Sequence, residues 1–405
     1  MPSLQRALCF LTLLGSLLGA YQSVAAAEFD AAKLAEVRGR MQEFVEQKQV
    51  SGLVYAIGNQ DGVAVEVPLG KADVASGKSM AKDSLFRIAS MTKPLTAVGI
   101  MILQDEGKLS VDDPVEKHLP EFKGQMLVSE KSGDKLVLVK PERPITLRDL
   151  LTHTSGLANF PPGLAEIYGK RNHTLAEMTL AVSQLPLQFP PGSKWSYCNS
   201  GIDTLGRIIE VVSGQPYEDF MQARIFKPLG MNDSAFYPTP EQMSRSATLY
   251  GVKDGELVDA GFQLLGRTEK AKHPIPAGGL YSTTADLAKA YQMMLGDGKL
   301  GDVRILSAAS VKQMTEVQTG DLECGFTPGM GFGFGWAVVR EPQGVHAMLS
   351  QGTYGHGGAF GTQGWIDPQK KLFVVLLIQR TGLANADASD LRRELQSGAV
   401  EAMKR

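Results

Sequence analysis

The sequence has little of what several classes of protein require. Three cysteines and six histidines among 405 residues are too few and too scattered to predict a zinc cluster. The charges nearly balance at a net −2 and no long basic run occurs, so the sequence predicts no nucleic-acid partner. With 43% hydrophobic and 21% charged residues, the chain is too apolar to be disordered. These absences leave a globular protein of ordinary composition.

Signatures of nucleotide binding and of common hydrolases are also missing. Gly77-Lys78-Ser79 resembles the end of a phosphate-binding loop, but Ala72 stands where that motif requires glycine. Neither H-E-x-x-H nor G-x-S-x-G occurs, which argues against a zinc protease and against the nucleophile elbow of α/β-hydrolases. The residues therefore predict neither a cofactor nor a catalytic metal.

The first 27 residues are typical of a secretory signal. Arg6 precedes an apolar run over residues 7–20, and residues 23–27 end in small side chains before Glu28. The run is shorter than the roughly 20 apolar residues that span a bilayer, and no later stretch is long and apolar enough. We predict cleavage before Glu28, a periplasmic or secreted mature chain 28–405, and no membrane span after cleavage.

Hydrophobic periodicity predicts strands near both ends of the chain and helices between them. The predicted helices cover residues 29–47, 92–107, 145–151, 174–185, 201–213, 218–226, 284–295 and 389–404. The predicted strands lie in 52–69 as a pair, in 127–139 as an inserted hairpin, and in 331–339, 361–366 and 371–379. This order predicts an α/β (α+β) fold whose antiparallel sheet combines segments of about 28–90 and 277–405, with helices flanking it and a mostly helical insertion of about 91–276.

A Ser-x-x-Lys pair is the first candidate for chemistry, because residues three apart on a helix share a face. A neutral lysine placed there can take the proton of a serine hydroxyl. The pattern occurs at Ser79, Ser90 and Ser132, but only Ser90-Met91-Thr92-Lys93 directly precedes a predicted apolar helix. Free backbone N–H groups at a helix start favour developing negative charge. The alternative is that Ser90 is a plain N-cap.

Tyr197-Cys198-Asn199 follows a turn-rich segment, and no other tyrosine has asparagine two residues on. A phenol beside an ammonium group is expected to ionise more easily and to relay a proton, while the amide can hold a substrate carbonyl. The alternative is a buried tyrosine whose hydroxyl is satisfied. Cys198 and Cys324 are interpreted as buried free thiols, with a disulfide between them left open.

His356-Gly357-Gly358-Ala359 lies in a glycine-rich segment before the last predicted strands. Glycines there allow a ligand or another backbone to approach closely. The alternative is a bulge or tight turn with an exposed histidine. His153, after the predicted helix 145–151, is interpreted as a packing or capping residue.

In this order, the three segments resemble the motifs of the serine β-lactamase and penicillin-binding protein superfamily, in its class C-like branch. Further matching segments are Phe86-Arg87-Ile88-Ala89, residues 150–157 and 190–201, Pro228-Leu229-Gly230-Met231, and Ala277-Gly278-Gly279-Leu280. The resemblance implies a β-lactamase/transpeptidase-like fold. It also implies roles: Ser90 as nucleophile, Lys93 as base, Tyr197 as proton relay and Asn199 in substrate orientation. The backbone N–H groups of Ser90 and Ala359 would form the oxyanion hole.

The third motif departs from the Lys-Thr-Gly pattern of the superfamily, because His356-Gly357-Gly358 stands in its place. A histidine of ordinary pKa, about 6.5, offers no permanent cation to a carboxylate near neutral pH. The resemblance therefore implies an exported serine hydrolase that acts through an acyl-enzyme on small ester or amide substrates, most of all a β-lactamase-like carboxylesterase. The alternatives are a D-alanyl-D-alanine carboxypeptidase, a D-aminopeptidase or a β-lactamase, and, in another class, a non-catalytic relative that binds cell-wall peptides or a protein.

Overall fold

A computed structural model describes residues 25–159, 171–261, 271–383 and 385–404. Most of the predicted signal segment, with Cys9, lies outside the described residues, as does part of the loop expected near residues 266–276. Within them the chain forms a mixed α/β fold with one large antiparallel sheet, which confirms the predicted fold class.

The sheet is assembled from the two ends of the chain. The described strands are β1 Gly52–Asn59, β2 Gly62–Asp73, β3 Lys78–Ser79, β4 Phe86–Arg87, β5 Leu127–Ser132, β6 Lys135–Val139, β7 Tyr250–Lys253, β8 Glu256–Asp259, β9 Tyr281–Ser282, β10 Lys299–Leu300, β11 Val303–Arg304, β12 Met330–Phe332, β13 Ala337–Val339, β14 Tyr354–Gly357, β15 Gln363–Asp367 and β16 Leu372–Ile378. The large sheet has the order β12-β13-β14-β15-β16-β1-β2-β3. Its centre is the antiparallel pairing of β1 with β16, in which Leu53 lies opposite Ile378.

Helices cover both faces of this sheet. The described α-helices are α1 Ala31–Glu46, α2 Thr92–Asp105, α3 Val115–His118, α4 Leu147–Leu151, α5 Leu175–Ser183, α6 Asn199–Ser213, α7 Tyr217–Met221, α8 Lys227–Leu229, α9 Pro240–Ser244, α10 Thr284–Leu295, α11 Ala308–Thr315 and α12 Asp390–Ala402. Ser389 caps α12 by accepting a hydrogen bond from the Arg392 N–H, as the sequence predicted.

The apolar residues of the central strands divide between two cores. Side chains alternate across a strand, so each strand contributes to both faces of the sheet. One face packs against α1 and α12 through Leu53, Tyr55, Ile57, Val374, Leu376, Val37, Met41, Leu391 and Leu395. The other packs against the helical region through Val54, Ala56, Val375, Leu377, Val98, Met101 and Ile208. The sheet is thus buried on both faces, which accounts for the nearly continuous apolar sequence of β16.

Helix α2 lies in the interior. Its residues from Thr92 to Leu103 are all buried, because it contacts α6 as well as other elements of the larger core. A helix that is apolar all round is expected in this position. Because α2 is buried, its first turn, which contains Lys93, is held in a fixed position.

Among the last strands, one expectation was wrong and one strand was missed. Residues 331–339 do not form one strand but the hairpin of β12 and β13, where Gly335 adopts a left-handed φ of 74°. His356 lies within β14, a strand that the periodicity did not predict. Its sequence Tyr-Gly-His-Gly has low strand propensity, and the strand is maintained by pairing with β13 and β15.

Candidate active site

Ser90 lies on a short 3₁₀ turn, Ala89–Met91, between β4 and α2. Ala89 is fully buried and adopts a positive φ of 49°, which a non-glycine residue rarely does. Met91, not Ser90, is the N-cap of α2, and no side chain caps this end of the helix. The interpretation of Ser90 as a plain N-cap is therefore wrong. The turn presents the Ser90 side chain to a cleft of about 390 Å³.

Lys93, in the first turn of α2, is fully buried beneath Ser90. Its Nζ donates hydrogen bonds to Ser90 Oγ at 3.1 Å, to Asn199 Oδ1 at 2.7 Å and to the Ala277 carbonyl at 2.7 Å. Burial lowers the pKa of Lys93 to about 7, although the Asp203 carboxylate opposes this shift. An amine with this pKa is neutral in a large share of molecules at neutral pH and can accept a proton.

Tyr197 covers the lysine. The Lys93 Nζ lies 4.6 Å from the centroid of the Tyr197 ring, and the side chains of Tyr197 and Ser90 interact. Burial raises the pKa of the Tyr197 phenol, and this effect outweighs the hydrogen bond to Ser90, which lowers it. The expectation that a neighbouring ammonium group would ease ionisation of this phenol was wrong, because burial raises the pKa of the phenol and lowers that of the lysine.

Asn199 is the first residue of α6 and contacts the same lysine. Its Oδ1 accepts from Lys93, while its Nδ2 and its backbone N–H donate to Asn159 Oδ1 at 3.3 and 3.0 Å. Both ends of the amide are therefore held by the protein. The side chain fixes the position of the Lys93 ammonium group.

His356 lies on β14 on the wall of the cleft and is almost fully buried. The alternative of an exposed histidine is therefore wrong. Burial, together with the smaller effect of the Lys93 charge, lowers the pKa of His356 to about 3. Its Nδ1 lies 2.6 Å from the Gly357 carbonyl, which can only accept, so Nδ1 carries the ring proton. His356 is thus neutral near neutral pH, and its one N–H is already used.

The glycines after His356 allow close approaches on both sides of the strand. A Cβ at Gly358 would collide with Thr362 Oγ1 and with the carbonyl of Ile88, two residues before Ser90. A Cβ at Gly357 would collide with the Asp387 carboxylate. The glycines therefore bring this strand against the turn of Ser90 and against the segment that precedes α12.

The cleft brings the sequence-predicted residues to one place. It is lined by Ser90, Tyr197, Phe326, His356, Gly357, Gly358, Ala359, Asn385, Ala386 and Asp387. Lys93 and Asn199 lie directly behind Ser90. Among the described residues, the backbone N–H groups of Ser90 and Ala359 have no hydrogen-bond acceptor. Two free donors beside a serine hydroxyl can stabilise an oxyanion.

Several residues of the site were not found from the sequence. The Ala277 carbonyl accepts a hydrogen bond from Lys93, and the Asp203 carboxylate, against the larger effect of burial, raises the pKa of Lys93. Phe326 and Asp387 line the cleft. Only the Ala277-Gly278-Gly279-Leu280 segment carried a signal, through its family resemblance. Asp203 lies four residues after Asn199 on the same helix but matched no motif, while Phe326 and Asp387 lie far from the motifs in sequence and are brought to the site by the fold.

His153 and the two cysteines have structural positions. His153 is buried, its Nδ1 accepts from the Cys198 N–H at 3.2 Å, and its ring lies 4.5 Å from that of Tyr197. Cys198 and Cys324 are both buried and free, so the possible disulfide is absent.

The described part of the chain contains no group of three or more metal-ligating side chains placed to hold an ion. Within the same residues, every helix is too short or too polar to cross a bilayer.

Comparisons with known proteins agree with this arrangement. A family model described as Beta-lactamase matches residues 37–399. Esterase EstB of Burkholderia gladioli is 28% identical over 374 residues, which cover 86% of this chain and 91% of EstB. Penicillin-binding protein 4 of Amycolatopsis lactamdurans is 30% identical over 348 residues, covering 83% and 82% of the two chains. The structure of EstCE1, a hydrolase with promiscuous acyltransferase activity, has a TM-score of 0.75 at 26% identity and covers 91% of this chain and 99% of EstCE1.

The fold, the cleft and the relatives together define a serine hydrolase. The chain belongs to the β-lactamase family, whose model spans almost the whole of it. The resemblance drawn from the three sequence motifs is confirmed.

Proposed function

We propose that this protein is an exported carboxylesterase that works through an acyl-enzyme on Ser90. The observation that carries the proposal is the contact between Ser90 Oγ and a fully buried lysine whose pKa is lowered to about 7. An ordinary lysine, with a pKa near 10.4, would be almost entirely protonated at neutral pH and could not serve as a base. Burial makes Lys93 a base in the range where serine hydrolases work.

Acylation begins when neutral Lys93 takes the proton of Ser90 Oγ and that oxygen attacks the ester carbonyl carbon. The carbonyl oxygen gains negative charge and accepts hydrogen bonds from the backbone N–H groups of Ser90 and Ala359. Each such donor typically contributes about 3 kcal/mol to the transition state. Asn199 and the Ala277 carbonyl stabilise the lysinium ion that forms, because both accept from its Nζ.

The leaving alcohol is expelled with a proton from Tyr197, which recovers one from Lys93. Because burial raises the pKa of Tyr197, the phenol stays protonated until the leaving oxygen needs the proton. In deacylation, water passes a proton through Tyr197 to Lys93 and attacks the acyl carbon, and Lys93 then returns that proton to Ser90 Oγ as the ester bond breaks and the acid product leaves. The enzyme returns to its starting protonation state.

The chemistry of the third motif, His356-Gly357-Gly358, favours ester substrates that carry no carboxylate. His356 is neutral, with a pKa of about 3, and its N–H donates to the Gly357 carbonyl. It therefore offers a substrate carboxylate neither a cation nor a free donor. For this reason we rank the esterase activity above carboxypeptidase and β-lactamase activities, whose substrates carry a carboxylate.

A substrate panel tests the proposal directly. We expect turnover of p-nitrophenyl butyrate, and much slower turnover of a chromogenic cephalosporin and of D-amino-acid amides. Ser90→Ala should abolish ester hydrolysis. Ser79→Ala is the matched control, because Ser79 also precedes a lysine by three residues but lies exposed on β3. It should retain wild-type activity.

Two results would contradict the proposal. Cephalosporin hydrolysis as fast as ester hydrolysis would refute the esterase assignment, and a tenth of wild-type activity in Ser90→Ala would refute the nucleophile. If a folded wild-type protein acts on none of these substrates and is not labelled by an acylating inhibitor, the non-catalytic alternative is favoured instead.

Export is proposed from the sequence of the first 27 residues alone. Expression of the full chain in a Gram-negative host should yield a periplasmic protein whose N-terminal sequence starts at Glu28. A cytoplasmic product that keeps Met1 would contradict this.

A further inference from the structure

The cleft has one acidic, aromatic corner that the proposed reaction does not use. Asp387 and Phe326 both line the cleft that contains Ser90, and both also line a small cavity behind it. Phe326 is 50% exposed, so a large part of it is accessible in the cleft that it lines. Asp387 is half-buried on a short turn before α12.

The protein holds this corner in place from several sides. The Asp387 backbone N–H donates to Asn385 Oδ1 at 3.1 Å, and its carbonyl accepts from Arg392 at 2.6 Å. The Asp387 carboxylate accepts a hydrogen bond at Oδ1 from Gln363 Nε2 at 3.1 Å. Within the described residues, Oδ2 accepts none. One oxygen fixes the carboxylate while the other is left for a ligand.

The aromatic and acidic sides of the corner are tied together. Asn385 Nδ2 donates to the Phe326 carbonyl at 3.0 Å, which joins the loop of Phe326 to the turn of Asp387. The Phe326 ring also packs on Tyr197, with 5.2 Å between ring centroids. Exposed aromatic faces next to a carboxylate are a favourable environment for an organic cation.

Within the described residues, no cationic side chain forms a hydrogen bond or ion pair with the Asp387 carboxylate, although its charge, against the larger effect of burial, raises the pKa of the nearby Arg392. Arg392 bonds to the backbone of Asp387 and to His346 Nδ1, and its guanidinium lies 3.7 Å from the Trp365 ring centroid. Lys93 bonds to Ser90, Asn199 and the Ala277 carbonyl instead. His356 is neutral.

We propose that Asp387 and Phe326 form a binding site for an ammonium or trimethylammonium group on the alcohol side of the substrate ester. The alcohol side follows from Tyr197, the group that protonates the leaving alcohol, because the Phe326 ring packs on it and the Asp387 charge acts on it. This inference rests on the proposed function and adds the charge class of the substrate. A Cβ at Gly357 would collide with the Asp387 carboxylate, so this glycine is needed for Asp387 to keep its position.

Three butyrate esters of similar size test the site. Butyrylcholine carries a trimethylammonium group, 3,3-dimethylbutyl butyrate has the same shape without charge, and the butyrate ester of 3-hydroxypropanoate carries a carboxylate. We expect wild-type kcat/KM for the choline ester to exceed that for its neutral isostere about tenfold. The carboxylate ester should be the poorest substrate of the three.

Three variants distinguish the effect of the Asp387 carboxylate from general effects of substitution on catalysis. Asp387→Asn keeps the acceptor for Gln363 and should bring the choline-to-isostere ratio close to one. Phe326→Leu should lower that ratio by a smaller factor, because only the aromatic contribution is removed. Asp390→Asn, an exposed position three residues further on that pairs with Arg393, is the matched control and should leave the ratio unchanged.

The outcomes distinguish this inference from the proposed function. If Ser90 turns over p-nitrophenyl butyrate but the wild-type ratio is near one, the ammonium site is wrong and the esterase assignment stands. An unchanged ratio in folded Asp387→Asn has the same meaning. Should Asp387→Asn not fold, inhibition of wild-type choline-ester hydrolysis by tetramethylammonium chloride, relative to sodium chloride, decides the question. If Ser90 is acylated by none of the esters, both proposals fall.

Discussion

Burial sets the protonation states of the residues around Ser90. Lys93 has a pKa lowered to about 7, His356 has one lowered to about 3, and the pKa of Tyr197 is raised. In each case the largest cause is the cost of charging a group in the interior. Tyr197 and His356 are therefore neutral near physiological pH, and Lys93 is a base whose pKa lies in that range.

These pKa values predict the pH dependence of the reaction. Lys93 must be neutral to act as a base, so kcat/KM for p-nitrophenyl butyrate should rise with pH and level off above about 7. Initial rates between pH 5 and pH 9, corrected for spontaneous hydrolysis, measure this profile. His356→Asn should keep the same limb, because His356 has already lost its proton above about pH 3. If the rise of kcat/KM with pH disappears in His356→Asn, that rise is due to the histidine, which would contradict the role of Lys93 as the base.

At the scale of elements, the site depends on the contact between β14 and the turn that precedes α2. Gly358 lies against the Ile88 carbonyl and Thr362, with no room for a methyl group. Thr362 Oγ1 also donates to the Ile88 carbonyl at 3.0 Å. This contact determines the distance between Ala359 and Ser90, the two proposed oxyanion donors.

Gly358→Ala should therefore separate these donors. We expect a decrease in kcat of about 10²-fold, the loss typical of one oxyanion donor, together with a destabilisation of about 1–3 kcal/mol from overpacking. Ester kinetics and urea unfolding measure the two effects. The control is Gly39→Ala on α1, where a methyl group has no neighbour within 4 Å and should leave kcat unchanged. Full activity in Gly358→Ala would show that the close approach is not needed.

Elements with a strong local signal were predicted well from the sequence. Helix α10 covers Thr284–Leu295, the predicted range, and α12 starts after the predicted Ser389 cap. Strand β14 and the hairpin of β12 and β13 were not predicted, because their glycines have low strand propensity and their partners lie elsewhere in the chain.

The residues of the candidate site also differ in how far the sequence predicted them. The motif residues around Ser90, Tyr197 and His356 could be identified by resemblance, and the structure places them in one cleft. The raised pKa of Tyr197 and the position of Asp387 could not, since both depend on tertiary packing between distant segments. Which polar side chains are buried is decided by contacts between distant segments, and the sequence around Tyr197 and Asp387 carries no local signal of it.

At the scale of the whole molecule, both ends of the chain support the site. Strand β1 from the N-terminal part pairs with β16 from the C-terminal part, and α1 and α12 pack together over one face of the sheet. A Cβ at Gly398 on α12 would collide with Val37 on α1, which shows how closely these helices approach. We therefore expect the sheet, its helical layer and the cleft to unfold as one unit.

Leu395→Ala tests this cooperativity. Leu395 is buried between α12 and the sheet, so its truncation should lower the free energy of unfolding by about 2–5 kcal/mol. Esterase activity and tryptophan fluorescence should then be lost at the same, lower urea concentration. Arg393→Ala, on the exposed side of the same helix, should change stability by less than about 0.5 kcal/mol. Activity that persists after the fluorescence transition would contradict a single unit.

The most direct measurement of the central claim is the mass of the enzyme during turnover. Wild-type protein mixed with p-nitrophenyl butyrate and quenched in acid should carry one butyryl group, and peptide mapping should place it on Ser90. The same experiment with Ser90→Ala should show no added mass, while Ser79→Ala should be labelled like the wild type. A butyryl group on any other residue, or rapid turnover by wild type together with full labelling of Ser90→Ala, would contradict an acyl-enzyme at Ser90.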